Sequence, residues 1–145
     1  MKAMIGTRSM PRPEIVLDRQ CLTRTEEFRG LQHDWGELFA ACPDATLFNS
    51  WEWLFSWWQA YHCAKKSLRL LIWRDAESGT AVGIAPLYKA SESMLPGLRC
   101  NVLRFIGDGS YDSDYLNFLV HPAKYLNAII RDWVRWLLGS REYDA

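Results

Sequence analysis

One segment of the chain is so rich in aromatic side chains that it limits the folds available to the rest. Residues 51–63 read WEWLFSWWQAYHC and follow Asn49 and Ser50, two good N-terminal caps, so the segment is predicted to form a helix. Its apolar residues cover most of the circumference, because Trp53 and Trp57 project to the side of the main apolar face. Such a helix is usually buried between layers. The segment therefore favours a layered domain, and it leaves open a groove lined by Trp53 and Trp57.

The overall composition is typical of one folded domain. The chain has 145 residues, of which 49% are apolar and 23% are charged, and eight are tryptophan. Its seventeen basic residues balance its seventeen acidic residues, whereas a nucleic-acid surface needs a concentrated basic footprint. We therefore expect no nucleic-acid partner.

The apolar runs are too short for a signal peptide, which needs about 7–15 apolar residues, or for a membrane span, which needs about 18. A cytoplasmic location and no membrane span are expected. The cysteines and histidines lack the spacing of a metal site, so we predict no bound metal and buried free thiols. The cysteines are Cys21, Cys42, Cys63 and Cys100.

Two further helices follow from the spacing of apolar residues. The first is predicted over 23–42, where Thr23 and Glu26 fit a capping box. The second is predicted over 123–138, with Gly139 as its C-terminal cap. The apolar face of this last helix is expected to comprise Tyr125, Leu126, Ile129, Ile130, Trp133, Trp136 and Leu137.

The remaining apolar segments alternate as strands do, with turn residues between them. Strands are predicted over 14–18, 68–74, 80–89, 98–106 and 115–120, and connecting loops over 75–79 and 91–97. Pro86 has no amide donor, so its position is expected to be a sheet edge or a bulge. Strands and helices in this order predict an α+β fold with a largely antiparallel sheet covered by helices.

A glycine-containing stretch in the second half fits the spacing R/Q-x-x-G-x-G/A, with which acetyltransferases of the GNAT superfamily hold the pyrophosphate of acetyl-CoA. It reads RFIGDG over 104–109. A pyrophosphate loop of this kind needs a helix directly after its glycines, because the helix N-terminus supplies free N–H donors. The segment 115–120 instead alternates like a strand and is followed by Pro122. We therefore interpret the stretch as a turn between strands.

The same loop carries several acidic residues. Asp108, Asp112 and Asp114 put three carboxylates within seven residues, which suits hydrogen bonds to an amine or to sugar hydroxyls. A hard cation and a plain turn are the alternatives that remain. Because loops at strand ends often carry function, Asp112, Asp114 and Tyr115 are candidate substrate-binding residues, with Trp53 as a possible stacking surface.

Five blocks of the sequence, taken in order, resemble a known family. They are ATLFNSWEWLFSWW at 45–58, LLIWRD at 70–75, VGIAPLY at 82–88, LRFIG at 103–107 and SDYLNFLV at 113–120. Together they are similar to the N-terminal half of a GNAT-type acyltransferase of the CelD-like group, which is named for cellulose biosynthesis and is related to the FemAB peptidyltransferases. The resemblance runs from about Leu31 to Tyr143.

The resemblance implies a fold and a domain organisation. Such proteins resemble two GNAT folds in tandem, with the acyl-CoA site and the proton-transfer groups mainly in the second half. It implies a first GNAT-like domain at 14–139 and, at 140–145, the start of a truncated following segment. Before them, Pro11 and Pro13 disfavour helix, so residues 1–13 are predicted to be a flexible leader. No catalytic or cofactor-binding residue of this chain can be assigned from the resemblance.

The resemblance also implies a function. The full-length protein is expected to transfer an acyl group from acetyl-CoA or another acyl-CoA to an amine or hydroxyl acceptor, such as a saccharide, in polysaccharide or cell-envelope biosynthesis. This chain alone is expected to be inactive and to bind no cofactor, and its partner would be the missing second half or another copy of itself. The alternative is a non-catalytic interaction module with an exposed tryptophan-rich surface.

Overall fold

A computed structural model of the protein describes residues 10–11, 13–109, 113–114 and 116–144. The α-helices of this part of the chain are α1 (Thr25–Gly30), α2 (Gln32–Ala41), α3 (Trp51–Tyr61) and α4 (Leu126–Gly139). The strands are β1 (Leu17–Leu22), β2 (Lys66–Leu68), β3 (Leu70–Asp75), β4 (Ala81–Ala85), β5 (Leu87–Leu95), β6 (Leu98–Phe105) and β7 (Leu119–Val120). Short 3-10 turns precede α3 and α4, at Leu47–Asn49 and Ala123–Tyr125.

The strands form two antiparallel sheets that are joined at two residues. One sheet has the order β1-β3-β4-β7 and the other has the order β2-β5-β6. Arg69 connects β2 to β3 and Pro86 connects β4 to β5, so both long chain segments bend from one sheet into the other. The amide of Arg69 donates to the Leu87 carbonyl at 2.9 Å, which keeps the two segments paired through the bend. Pro86 thus interrupts the strand predicted over 80–89, because it has no N–H to continue the ladder.

The predicted α+β class is confirmed, because antiparallel sheets are flanked by helices, which cover both faces of the first sheet. Helices α1, α2 and α3 pack on one face, where Phe28, Trp35 and Leu54 meet strand residues such as Leu70. Helix α4 packs on the opposite face of the first sheet through residues such as Ile129. Successive residues of β3 enter these two cores alternately, which explains why this strand is apolar on both sides. The predicted burial of the aromatic helix is confirmed for α3.

The helix boundaries differ from the predicted ones in several places. The segment predicted as one helix over 23–42 is two helices, divided at Leu31 directly after Gly30. The capping box at Thr23 and Glu26 is wrong by one residue, because it is Glu27 whose carboxylate accepts from the Thr23 and Arg24 amides at 3.1 and 3.0 Å. Gly139 ends α4 within the helix, and Ser140 is the cap residue.

Several strand boundaries also differ from the predicted ones, because they depend on pairing between residues far apart in the sequence. The strand predicted over 14–18 is β1, which begins at Leu17 and continues to Leu22 because all six residues pair with β3. The loop predicted over 91–97 is largely strand, since β5 runs to Leu95 and only a tight turn with Gly97 at φ +85° separates it from β6. The described part of the strand predicted over 115–120 is regular only in β7. The turn over 75–79 is confirmed, with the Gly79 amide donating to the Asp75 carbonyl at 2.8 Å.

The residues after α4 fold back onto the sheet. The Glu142 carboxylate accepts from the Arg69 guanidinium at 3.0 Å. The Asp144 amide donates to the Asn101 carbonyl at 2.8 Å, and the Asp144 carboxylate accepts from the Asn101 amide at 2.7 Å. This segment is therefore anchored at both ends of its described length. Of the predicted leader, residues 1–9 and 12 lie outside the described residues.

Candidate functional site

The loop between β6 and β7, residues 106–118, leaves the sheet at the bend. The Ile106 amide donates to the Pro86 carbonyl at 2.8 Å, so the loop begins where the proline interrupts the long strand. Gly107 follows with φ +103°, a conformation that side chains rarely allow, and a Cβ there would lie 3.4 Å from Leu54 of α3. The bend and the glycine together direct the loop against α3.

Trp53 and Ser113 join α3 to this loop. The indole N–H of Trp53 donates to the Ser113 hydroxyl at 2.9 Å. The Trp53 ring is half-buried and meets Phe48 edge-to-face, with ring centroids 5.3 Å apart. Ser50 fixes the start of α3 by accepting from the Trp53 amide at 3.3 Å. Trp53 and the described part of the acidic loop at Ser113 are therefore neighbours in the fold.

Only one of the three candidate residues of the loop lies within the described residues. Asp114 is described, and its side chain is exposed next to Ser113. Asp112 and Tyr115 lie outside the described residues. The groove predicted between Trp53 and Trp57 is wrong for Trp57, which is 5% exposed and packs against Tyr88 with ring centroids 5.7 Å apart.

The basic residue of the RFIGDG stretch is held by carboxylates. The Arg104 guanidinium donates to Glu92 through Nη2 at 3.1 Å and to Asp108 through Nη1 at 2.9 Å. These hydrogen bonds, the one to Glu92 first, raise the pKa of Arg104 above its usual value, and Arg104 lowers the pKa of Glu92. An arginine paired with two acids has little attraction left for an anion. The described residues that follow it, 113–114 and 116–118, contain no helix whose N-terminus faces a phosphate.

A groove of about 570 Å³ runs along the free edge of β7. One wall is the segment 42–46 between α2 and α3, the opposite wall includes Leu126 and Ile130 of α4, and the floor is 117–120. The Cys42 thiol donates to the Val120 carbonyl at 3.6 Å, which closes the edge at this point. The volume falls within the usual range of about 300–1,000 Å³ for small-molecule sites.

The polar groups of the groove are mainly neutral. The Thr46 hydroxyl donates to the Asn49 side-chain oxygen at 3.2 Å, and that oxygen also accepts from the Thr46 amide at 3.0 Å. The Asn117 side-chain oxygen accepts from the Phe118 amide at 2.8 Å, which orients the Asn117 amide group at the floor. Asp44 is exposed at the rim. The arrangement can exchange hydrogen bonds with a hydroxylated or amine-bearing ligand.

The groove and the Trp53 contact are parts of one region. The loop 106–118 reaches Trp53 through Ser113 and the groove through Asn117. The 3-10 turn before α3 does the same, because Phe48 contacts Trp53 and Asn49 lines the groove. In the sequence, Pro43 and Asp44 directly follow the helix predicted over 23–42, and no local pattern indicates that they face β7.

The cysteines are free, as predicted, but none of them is fully buried. Cys21 and Cys63 are exposed, whereas Cys42 and Cys100 are half-buried. Burial raises the pKa of the Cys42 thiol, so this group stays protonated in the groove and is a poor nucleophile. Within the described ranges no three His, Cys, Asp or Glu side chains are placed to hold a metal ion.

The apolar surface of the molecule is aliphatic rather than tryptophan-rich. Every one of the eight tryptophans is buried or half-buried. The face predicted for the last helix is only partly in the core, because Leu126 and Ile130 are 44% and 39% exposed. No helix of the described residues is long and apolar enough to cross a membrane.

The fold and the groove define an α+β domain with an accessible site at one edge of its sheet. No protein-family model matches the chain, and searches of curated proteins and of solved structures found no significant match. The geometry of the groove and the resemblance of the sequence blocks therefore support a function for this domain.

Proposed function

We propose that this chain is the acceptor-binding part of a GNAT-type acyltransferase of the CelD-like group, acting in the cytoplasm on a saccharide or another acceptor with a hydroxyl or amine. The observation that carries the proposal is the groove along β7, where the Thr46 hydroxyl and the Asn117 amide group lie beside apolar walls. Sugar-like ligands require this combination of neutral polar groups and apolar surface.

The loop 106–118 supports the same assignment. Its Asp114 carboxylate is exposed, and the adjacent Ser113 is fixed by Trp53. Asp114 thus lies between Ser113, which α3 holds, and Asn117, which lines the groove. Charge-assisted hydrogen bonds from an acceptor hydroxyl or amine to a carboxylate are roughly twice as strong as neutral ones.

Acyl-CoA does not fit the glycine stretch of this chain. Its pyrophosphate would meet Arg104 already paired with Glu92 and Asp108, and a carboxylate where it needs a cation. We therefore assign acyl-CoA binding in the proposed enzyme to a second GNAT-like half, and we assign no catalytic residue to this chain.

Calorimetry and NMR on this chain test the two parts of the proposal separately. Titration with acetyl-CoA is expected to give no binding at micromolar concentration, and micromolar affinity would contradict the assignment. Titration of the ¹⁵N-labelled chain with amino sugars and with neutral sugars is expected to shift the amide signals of Thr46 and Asn117. If no sugar, polyol or amine shifts these signals at millimolar concentration, the groove is not an acceptor site.

Two matched variants locate the acceptor contact. Asp114→Asn should weaken acceptor binding severalfold, or raise KM for the acceptor in an enzyme that contains both halves, because it removes a charged acceptor of hydrogen bonds. Asp18→Asn is the control, since Asp18 is an exposed carboxylate on β1, at the opposite edge of the sheet from β7. Equal effects of the two substitutions would mean that the Asp114 carboxylate has no specific role in acceptor binding.

A second candidate function is a non-catalytic interaction module. The observation that favours it is the set of exposed aliphatic side chains on α4, since contiguous apolar surface commonly marks an interface. An inactive chain with no acceptor binding that associates through α4 would support this candidate over the first.

A further inference from the structure

Helix α4 presents a continuous aliphatic row to solvent. Its large exposed side chains recur at every fourth position, and they are Leu126, Ile130, Val134 and Leu138. The exposed fraction reaches 79% at Leu138. Residues four apart form a ridge on a helix surface, which is the element that packs into the groove of another helix. We refer to these four residues as the α4 ridge.

The two flanks of the α4 ridge carry opposite charges. Arg131 and Arg135 each follow a ridge residue by one position, so they lie about 100° further around the helix, and both are exposed. On the other flank, Leu126 and Ile130 border the groove whose rim carries the exposed Asp44. Within the part of the chain that the structure describes, neither Arg131 nor Asp44 makes an ion pair.

This asymmetry excludes some occupants of the ridge on electrostatic grounds. An anionic bilayer presents the same charge to both flanks, so it attracts Arg131 and repels Asp44. In an antiparallel pair of α4 helices related by a two-fold axis, each flank faces the same flank of the other copy. Arg131 and Arg135 of one copy would then lie against the same two arginines of the other, and their charges would repel. Both arrangements leave like charges together.

A parallel pairing of two copies matches the charges. When the two-fold axis runs along the helices, the ridge of one copy faces the ridge of the other, and each basic flank faces the acidic flank of its partner. We propose that the α4 ridge is a self-association surface, on which two copies of this chain pack their α4 helices in parallel and Arg131 of one copy pairs with Asp44 of the other. The proposal goes beyond the acyltransferase assignment and is tested without it. Because Leu126, Ile130 and Asp44 also border the groove, the dimer would restrict access to the proposed acceptor site.

Sedimentation velocity between about 1 and 500 μM tests the association. The wild-type chain is expected to shift reversibly from monomer to dimer across this range, since four aliphatic side chains and two exposed ion pairs give modest affinity. Val134→Gln should weaken the dimer at least tenfold. The control is Leu98→Gln, which changes a leucine that is 55% exposed, against 38% for Val134, on the β5–β6 hairpin away from α4. A monomer at all concentrations, or an equal loss with Leu98→Gln, would overturn the proposal.

Charge exchange tests the pairing of Arg131 with Asp44. Arg131→Glu and Asp44→Arg should each weaken the dimer about tenfold, and the double variant should return the dissociation constant to within about threefold of the wild type. A double variant as weak as the sum of the single variants would exclude this pair. Circular dichroism and urea midpoints, measured on every variant, show whether each chain is folded.

A cross-link tests the direction of the helices without relying on affinity. In a parallel pair, residue 134 lies opposite its own copy, so Val134→Cys should form a disulfide-linked dimer when diamide is added as the thiol oxidant. Cys21 and Cys63 are replaced by serine in this background because both are exposed. An antiparallel pair instead places residue 126 opposite residue 138. The proposal would be contradicted if Val134→Cys chains did not cross-link and Leu126→Cys chains formed rapid disulfides with Leu138→Cys chains. Binding of a monomeric chain to anionic vesicles would also contradict it.

Discussion

Trp53 of α3 donates its indole N–H to the hydroxyl of Ser113 at 2.9 Å, and this bond ties the aromatic helix to the loop that carries Asp114. The two residues are sixty positions apart, so the contact depends on the bend at Pro86 that directs the loop toward α3. A half-buried indole whose N–H is already used donates no hydrogen bond to a ligand. Trp53 therefore positions the loop through its N–H, and its contribution to a ligand would be limited to stacking on its ring.

A double-mutant cycle should detect the bond between Trp53 and Ser113. Trp53→Phe and Ser113→Ala are each expected to lower the free energy of unfolding, with about 1 kcal/mol of the loss in each due to the hydrogen bond. The double variant should lose about 1 kcal/mol less than the two single losses added together, because one bond is removed in all three chains. Urea denaturation followed by fluorescence measures these values. Fully additive losses would show that the bond contributes nothing in solution.

The conformation of Gly107 should make it less replaceable than Gly109. Both have positive φ, at +103° and +87°, so alanine at either position costs about 1–2 kcal/mol of backbone strain. At Gly107 the new Cβ would also lie 3.0 Å from Leu116 and from the Ser113 hydroxyl, whereas at Gly109 no described residue lies within 4 Å of it. Gly107→Ala should therefore lower the unfolding free energy by about 1 kcal/mol more than Gly109→Ala. Equal losses would mean that the loop does not hold this geometry.

Local features of the fold could be predicted from the sequence, and long-range ones could not. The Ser50 cap, the burial of α3 and the Asp75–Gly79 turn each depend on neighbouring residues, whose preferences are visible in the sequence. The groove depends on Cys42 meeting Val120 across seventy-eight positions, and no local pattern encodes such a pairing. The same limit explains why the strand pattern of residues 80–89 indicated an interruption at Pro86 but not the second sheet that begins there.

The hydrogen bond between Tyr125 and Asp75 should make stability depend on pH in acid. The Tyr125 hydroxyl donates to the Asp75 carboxylate at 2.6 Å, and this bond, with those from the amides of Ser78 and Glu77, lowers the pKa of Asp75 from 3.8 to about 2. A lowered pKa favours the folded state above the ordinary pKa. The contribution is therefore complete above about pH 4 and is lost as the pH falls towards 2.

Tyr125→Phe removes the largest cause of that shift. Its unfolding free energy is expected to fall less steeply than that of the wild type between pH 4 and pH 2, and the two curves should converge in strong acid. Urea denaturation at several pH values across this window gives both curves. Curves that remain parallel through the window would show that the Tyr125 hydroxyl does not lower the pKa of Asp75 in the folded chain.

Gly83 lets α4 lie directly on β4, so it should tolerate no side chain without repacking. A Cβ at Gly83 would overlap the Cδ1 atom of Ile129, which is fully buried, and would lie 3.5 Å from the Trp73 ring. Gly83→Ala should lower the unfolding free energy by about 1–3 kcal/mol, since a buried isoleucine has no free space in which to move.

Gly36→Ala is the matched control, because Gly36 is exposed within α2 and no described residue lies within 4 Å of a Cβ placed there. There alanine should raise the unfolding free energy by up to about 1 kcal/mol through its higher helix propensity. Urea denaturation compares the two, and a loss at Gly83 no larger than the change at Gly36 would mean that α4 does not pack this closely on the sheet.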